Sequence, residues 1–286
     1  MHTATVTGPD GGLLRAARQV VGESDSALLC VAFADVPGVH FLERGLATVK
    51  KRSGARLLAT TVFGTTTAAA LNVAHGMGVD VRVLNPGSGG TYHPKLYLGV
   101  GGERVEALVG SANLTRGLAV NVEAASHLRG AASEQPLREL RDWAEDLWRD
   151  PRTARWEPAP EAGEDEAIDP ELLRLIAAAA EDEPRFYTLG PSPKPNYVRD
   201  ATPSGLYVET ERSRERKGGP EVVPPWMLNV AWEVLRSRGA LTNRELLDEL
   251  RVHRSSAVCA VLARLPGVEA ERGRGIRLRW VDAEGG

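Results

Sequence analysis

One short stretch of this sequence holds the side chains best suited to chemistry. It runs His93-Pro-Lys95, then Gly110-Ser111-Ala-Asn113-Leu-Thr, then Asn121-Val-Glu123. A lone histidine beside a strand is ordinarily structural, and His75 and His127 are read that way. Five residue types at set positions are a different matter: at roughly one in twenty each, a chance match somewhere in the chain is on the order of 10⁻⁴. The set suits phosphodiester cleavage, which needs attack on phosphorus and protonation of a poor leaving group. Neutral imidazole can attack and imidazolium can protonate; only histidine does both near neutral pH. A covalent phosphohistidine on His93 would split one hard displacement into two easier ones. Lys95, two residues on, projects to the same side of a strand and can neutralise the non-bridging oxygens. Ser111 and Asn113, on the turn after the next strand, can donate further hydrogen bonds. Glu123 is expected to accept from the other ring nitrogen of His93 and fix its tautomer, as the third member of a triad does. This chemistry needs no cofactor and no metal, and no Asp/Glu cluster of the two-metal kind accompanies the motif.

The elements around the motif alternate between two periods. Ala27–Phe33, Arg56–Thr60 and Val79–Leu84 read as strands, the first a continuous apolar run fit for burial on both faces. Val39–Arg52 and Thr67–Met77 have helical spacing. Asn85–Thr91 is a Gly-rich loop, and Lys95–Val100 and Val105–Val109 read as strands joined at Gly101-Gly102. Asn121–Leu128 is a further strand, and Gln135–Asp150 an amphipathic helix. Such alternation predicts an α/β layer architecture. Beyond Trp156 the composition shifts. Residues 157–183 carry ten acidic residues against one Arg, read as a solvated face with a helix at Pro170–Ala180; a strand is expected at Leu206–Thr210. The last residues read as three helices and a hairpin, which is the winged-helix order. They are Trp226–Arg238, a helix opened by the capping box Thr242-Asn-Arg-Glu245, a helix capped by Ser255, and strands flanking Glu271–Gly275. The expected domains are therefore 1–156 (catalytic), 157–222 (an acidic and Pro/Gly-rich connector with some helix) and 223–286 (winged-helix-like).

The chain of 286 residues has a net charge of −3, so any nucleic-acid contact must come from a local patch. Its two cysteines exclude a disulfide scaffold. No apolar run is long enough to span a membrane, and the N-terminus does not read as a signal peptide, so the cytoplasm is the expected compartment.

The motif residues resemble the phospholipase D superfamily, whose pattern is His-x-Lys, then Asp, then Gly-Ser-x-x-Asn or Gly-Ser-x-Asn. The likeness covers about 30 residues of motif and, in element order, roughly the first 150 residues. It implies a mixed β-sheet flanked by helices. Val100 stands where the Asp is expected. The nuclease branch commonly dispenses with that Asp and uses a carboxylate after the Asn, which Glu123 can supply. The wording Gly-Ser-Ala-Asn-Leu-Thr is also typical of bacterial nuclease and restriction-enzyme members. The resemblance thus implies a metal-independent endonuclease, in restriction or anti-phage defence, where a further defence protein could be a partner. The mechanism needs two histidines, and none of His2, His40, His75, His127 or His253 is followed two residues later by Lys. Single-motif members solve this as homodimers, which implies one shared active site with a His93 from each subunit, titrating as a coupled pair.

Residues 251–280 carry seven Arg against two acidic residues. Arg254 and Arg264, with Arg272, Arg274, Arg277 and Arg279 on the wing, are the expected phosphate ligands. The third helix offers only Arg264 as a cation, weak equipment for reading base edges, so backbone-dominated binding, of DNA foremost, is expected. A competing reading is a winged-helix regulator whose phospholipase D-like domain has lost catalysis and senses ligands. The intact His93, Lys95, Ser111 and Asn113 set argues against it.

Overall fold

The computed structural model describes residues 1–87, 90–158, 167–215, 219–272 and 275–281, without the side chains of Phe63, Arg212 and Arg272. It divides into two compact units, Met1–Asp165 and Glu166–Gly286.

The first unit is a mixed α/β layer structure built on one eight-stranded sheet. Its strands are β1 (His2–Thr7), β2 (Ser26–Val31), β3 (Ala55–Ala59), β4 (Asp80–Leu84), β5 (Lys95–Gly101), β6 (Arg104–Gly110), β7 (Ala124–Ala131) and β8 (Thr153–Arg155). Their spatial order is β1-β7-β6-β5-β2-β3-β4-β8. β2, β3 and β4 run parallel, and every other pairing is antiparallel. Helices cover both faces. On one face α6 (Gln135–Arg149) buries Leu137, Ala144 and Trp148 against Leu28, Cys30, Leu58, Leu96 and Leu98. On the other, α1 (Gly12–Gly22) comes so close to β5 that a Cβ on Gly99 would lie 2.3 Å from the Val20 carbonyl oxygen. α2 (Val36–Phe41), α3 (Glu43–Lys50), α4 (Ala68–Gly76) and the short α5 (Gly117–Val120) complete the unit.

Most expected elements of this half are present, with three differences. The helix expected over Val39–Arg52 is two, α2 and α3, parted at Leu42. Arg18 Nε donates to the Phe41 carbonyl at 2.9 Å and so holds the end of α2 apart from α3. The strand expected from Asn121 begins only at Ala124, because Asn121 through Glu123 lead out of α5. β1, α1, α5 and β8 escaped the sequence reading. β1 is Thr-rich and lies at the sheet edge, and α1 opens on Gly11 with no side-chain cap, so neither carries its usual signal.

In the second unit, α7 (Pro170–Asp182) is capped by Asp169, whose carboxylate accepts from the Glu171 and Leu172 amides. A four-stranded antiparallel sheet follows, in the order β12-β11-β10-β9, from β9 (Arg185–Tyr187), β10 (Pro195–Thr202), β11 (Gly205–Thr210) and β12 (Glu221–Val223). α8 (Glu211–Glu215) lies between β11 and β12. α9 (Pro225–Arg238) ends at Gly239, whose φ of 72° only glycine adopts readily. A three-stranded sheet has the order β13-β15-β14, from β13 (Ala240–Thr242), β14 (Val268–Arg272) and β15 (Ile276–Trp280), with α10 (Ser255–Leu262) before β14. Asn229 of α9 accepts from the Asp169 amide and donates to the Ala167 carbonyl, both at 2.9 Å. Described residues from 167 onward of the region read as connector thus pack with the C-terminal elements. Trp232 is buried and meets Trp280 edge to face at 5.2 Å, a core role.

Two caps behave differently from the sequence reading. Ser255 does not cap α10; it is that helix's buried first residue, and Arg254 before it makes no side-chain cap. The Thr242 hydroxyl does accept from the Glu245 amide at 3.1 Å. The Glu245 carboxylate, however, turns to Arg238 at 2.5 Å, and the segment Glu245–Glu249 winds as a π-helical turn.

Candidate active site

Register decides where the motif residues meet. Lys95 opens β5, Gly110 closes β6 and Ala124 opens β7. Leu96 faces Val109, and Gly110 faces Ala125. His93, Lys95, Ser111 and Glu123 therefore gather at one end of the sheet. β2 ends there too, since Val31 faces Lys95. That end is the carboxyl end of the parallel strands, the usual place for a ligand site in α/β sheets.

The local sequence explains the convergence. A Cβ on Gly110 would come within 2.3 Å of the Ala124 carbonyl oxygen, so only glycine lets β6 pass β7 before Ser111. The turn after Ser111 is stitched to the end of β2. The Asn113 side-chain oxygen accepts from the Phe33 amide at 3.1 Å, and the Leu114 amide donates to the Phe33 carbonyl at 3.1 Å. Asp35 then accepts from the Arg116 amide at 2.8 Å and caps α2 through the Gly38 amide at 2.7 Å. On the other side of His93, the buried Tyr92 donates its hydroxyl to the Leu58 carbonyl at 3.0 Å. The segment carrying His93 is thereby pinned to β3.

His93 is exposed, and the ring of Phe33 meets it edge-on at 5.6 Å. Lys95 Nζ lies 2.6 Å from His93 Nδ1 and 3.1 Å from Nε2. Burial lowers the Lys95 pKa from its ordinary 10.5, and the Glu123 carboxylate works in the opposite sense. Ser111 Oγ donates to Glu123 Oε2 in a short hydrogen bond and accepts from the Ala124 amide at 3.2 Å. Asn121 Nδ2 donates to Glu123 Oε1 at 3.3 Å. Beneath them lies the fully buried Tyr97, whose hydroxyl reaches the Ala112 carbonyl at 3.4 Å; burial raises its pKa, and Asp35 and Glu123 add to the effect.

Two expected contacts are thus corrected. Glu123 bonds Ser111 and Asn121, not the ring of His93, because Ser111 and Asn121 flank it on the adjoining turns. Ser111, expected to donate to substrate, gives its one hydroxyl proton to Glu123, whereas Asn113 braces the Phe33 backbone through its oxygen and keeps its NH₂ for a ligand. Phe33, Asp35, Tyr92, Tyr97 and Asn121 were missed as residues that build the site. For Asp35 a signal existed: Asp followed by Val-Pro is a helix-start pattern. His127 is buried against Glu106 at 3.4 Å and Arg129 at 3.3 Å, with its pKa lowered by burial, then by Arg129; it is structural. Among the described residues, no three His, Cys, Asp or Glu side chains gather as a metal ion would require, and no helix is long and apolar enough to cross a membrane.

The arginines of the second unit divide. Arg264 donates to the Ala179 carbonyl at 2.6 Å, near the end of α7. That favourable helix-terminus contact engages part of its guanidinium group. Arg254 pairs with Glu221 at 2.5 Å, and Arg279 with Glu271 at 3.1 Å, both at the surface. Arg277 is exposed and has no partner among the described residues. Arg272 belongs to β14, and Arg274 lies outside the described residues.

No protein-family model matches the chain, and no curated protein matches it. Solved structures similar to it include Nuc, a phospholipase D family member from Salmonella typhimurium: 55% of this chain and 98% of that one are covered, at 17% identity and a TM-score of 0.45. NucT from Helicobacter pylori is similar over 54% of this chain and 99% of its own, at 11% identity and a TM-score of 0.42. A yeast tyrosyl-DNA phosphodiesterase is similar over 53% of this chain and 41% of its own, at 13% identity and a TM-score of 0.35.

Proposed function

We propose that this chain is a metal-independent endonuclease of the phospholipase D superfamily, acting on nucleic acid, DNA foremost. The observation that carries the reading is the meeting of His93, Lys95, Ser111 and Glu123 at one sheet end, with the Lys95 ammonium against the imidazole. His93 of one subunit attacks phosphorus; the P–N bond forms and the P–O bond to the leaving group breaks. His93 of the partner subunit, as imidazolium, gives its proton to the leaving oxygen. The same ring, now neutral, takes a proton from water as that water attacks phosphorus and the P–N bond breaks. One water is consumed, and both histidines return to their starting states. Lys95 and the Asn113 NH₂ offset the charge on the non-bridging oxygens. Glu123 holds Ser111 in place and favours the charged form of Lys95.

In the same reading, residues 223–286 are a winged-helix module that grips the DNA backbone through Arg254, Arg272, Arg274, Arg277 and Arg279. The order α9, β13, π-helical turn, α10, β14, β15, with β13 paired to β15, supports it. The chain works in the cytoplasm as a homodimer, in restriction or anti-phage defence. The deciding experiment is DNA cleavage by the purified protein in EDTA, beside His93→Ala. Cleavage that survives EDTA and vanishes in the variant supports the reading. A wild type inert on DNA, RNA and a generic phosphodiester overturns it.

A further inference from the structure

The four-stranded sheet of the second unit has one face that the proposed nuclease does not use. Strand alternation separates its two sides. Phe186, Val198, Leu206, Val208 and Val223 are buried, on the side where β10 meets α7 with its buried Leu172 and Ile176. The residues between them point the other way. Arg185 and Tyr187 of β9 are exposed, Tyr187 by 44%, while Tyr197 of β10 and Tyr207 of β11 are half-buried. Tyr197 stands opposite Arg185, and Tyr187 one step along opposite Pro195, so the two rings are diagonal neighbours. Arg199 shares this face with Tyr197 by alternation, and a bulge between Val198 and Asp200 brings Asp200 onto it as well, opposite Tyr207.

The arginines and tyrosines on this face are already stacked. The Arg185 guanidinium lies 5.5 Å from the centre of the Tyr187 ring, and those of Arg199 and Arg214 lie 5.2 and 5.6 Å from that of Tyr197. No hydroxyl of the three tyrosines has a protein partner among the described residues. Arg199 and Arg214 share one carboxylate, Glu209, and Asp200 stands opposite Tyr207 on the same face, so the charges around Tyr197 balance. Arg185 holds Glu183 only loosely, at 3.8 Å.

We propose that this face is a binding platform for single-stranded nucleic acid, on which unpaired bases stack against Tyr187 and Tyr197 and the arginine guanidinium groups meet the backbone. An open antiparallel sheet with aromatic rings set among guanidinium groups offers a π-face to any base and a cation to its phosphate. Duplex, whose bases are stacked on one another, cannot use such a surface. With its charges balanced, the platform depends more on stacking than on counterion release, so its affinity falls only shallowly with salt, as expected for contact with about one or two phosphates. The platform would hold a displaced or unpaired strand of the nucleic acid that the other unit cuts; only this choice of ligand rests on the nuclease reading.

The test uses the full chain carrying His93→Ala, which cannot cut, and fluorescence anisotropy with labelled dT12, rU12 and a 20-base-pair duplex. Tyr187→Ala with Tyr197→Ala is expected to weaken dT12 binding about tenfold or more and to leave duplex binding within twofold. Tyr187→Phe with Tyr197→Phe keeps the rings and is expected to retain binding. Circular dichroism melts of each variant identify any that fail to fold, and the Phe pair then carries the test through its retained affinity and shallow salt slope. Preference for rU12 over dT12 would assign the platform to RNA. Equal binding of dT12 by the parent and a folded Ala pair, or binding of duplex alone, would overturn the proposal. Cleavage of a small phosphodiester by the Tyr variants in an intact His93 background is expected to match wild type, so failure of the nuclease reading shows separately.

Discussion

In the proposed mechanism His93 and Lys95 act as a pair. His93→Ala should lower cleavage by on the order of 10⁴-fold or more, as loss of a covalent nucleophile does. Lys95→Met should cost about 10²–10³-fold, the range for one electrostatic stabiliser. The pH profile discriminates further. Burial already lowers the Lys95 pKa, and Glu123 opposes that shift. In that mechanism activity should fall at the alkaline end as Lys95 loses its proton, at lower pH than an ordinary lysine would give. Glu123→Gln removes the opposing charge, so this limb should move to lower pH; Lys95→Arg, which does not deprotonate, should move it upward. Unmoved limbs in kcat/KM profiles of both variants would show that Lys95 carries no essential charge. The gathering of His93, Lys95, Ser111 and Glu123 was legible in the sequence because the spacing of these types is unusual. Their partners were not. Glu123 could be placed near the site, but its choice of Ser111 over His93 depends on how two turns cross, which spacing cannot convey.

Gly110 and α6 carry the tests at the scale of elements. Gly110→Ala would force a methyl group into the Ala124 carbonyl, so it should destabilise by about 1–3 kcal/mol in denaturant unfolding and misplace Ser111. A variant as stable and active as wild type would mean that β6 and β7 can part there freely. On the other face of the sheet, Arg56 clasps Glu145 of α6, with one contact of 3.0 Å, and lies over Trp148. The Glu145 carboxyl is held below its ordinary 4.5, chiefly by the Arg56 hydrogen bond. A lowered carboxyl contributes stability above the unfolded pKa and loses it as pH falls through the folded one. With both side chains partly exposed, Glu145→Gln should cost about 1 kcal/mol at pH 7. Its deficit should shrink as the pH drops below 4.5, read by chemical denaturation across pH. Strands β2 to β7 and helices α4, α6, α7 and α9 were visible because their apolar periods are strong. β1, β9, β12 and β13 were hidden, being short or polar strands whose partners lie far along the chain.

At the scale of the whole molecule, the proposed shared site makes subunit mixing informative. If each site needs two His93 side chains, a mixed dimer of wild type and His93→Ala has none that works. After exchange of subunits, activity should then fall as the square of the wild-type fraction. A linear fall, or a monomeric mass by sedimentation, would remove the shared site. The sequence reading divided the C-terminal half at residue 222, where acidic and Pro/Gly-rich composition gives way to helical periodicity. The structure instead groups Glu166–Gly286 as one unit. Composition describes how a segment meets water, whereas this grouping rests on contacts such as Asn229 with Asp169, which no local pattern announces.

β1 pairs along its whole length with β7, and the Gly8 amide donates to the Glu123 carbonyl at 3.0 Å. During synthesis the chain's first strand therefore leaves the ribosome without its partner and waits while the intervening elements are made. The meander β5-β6-β7, close in sequence, can form before that edge is sealed. Glu123 thus gains its last backbone tether from a segment made long before it, and pulsed hydrogen exchange should find the β1 amides protected after those of β5 and β6.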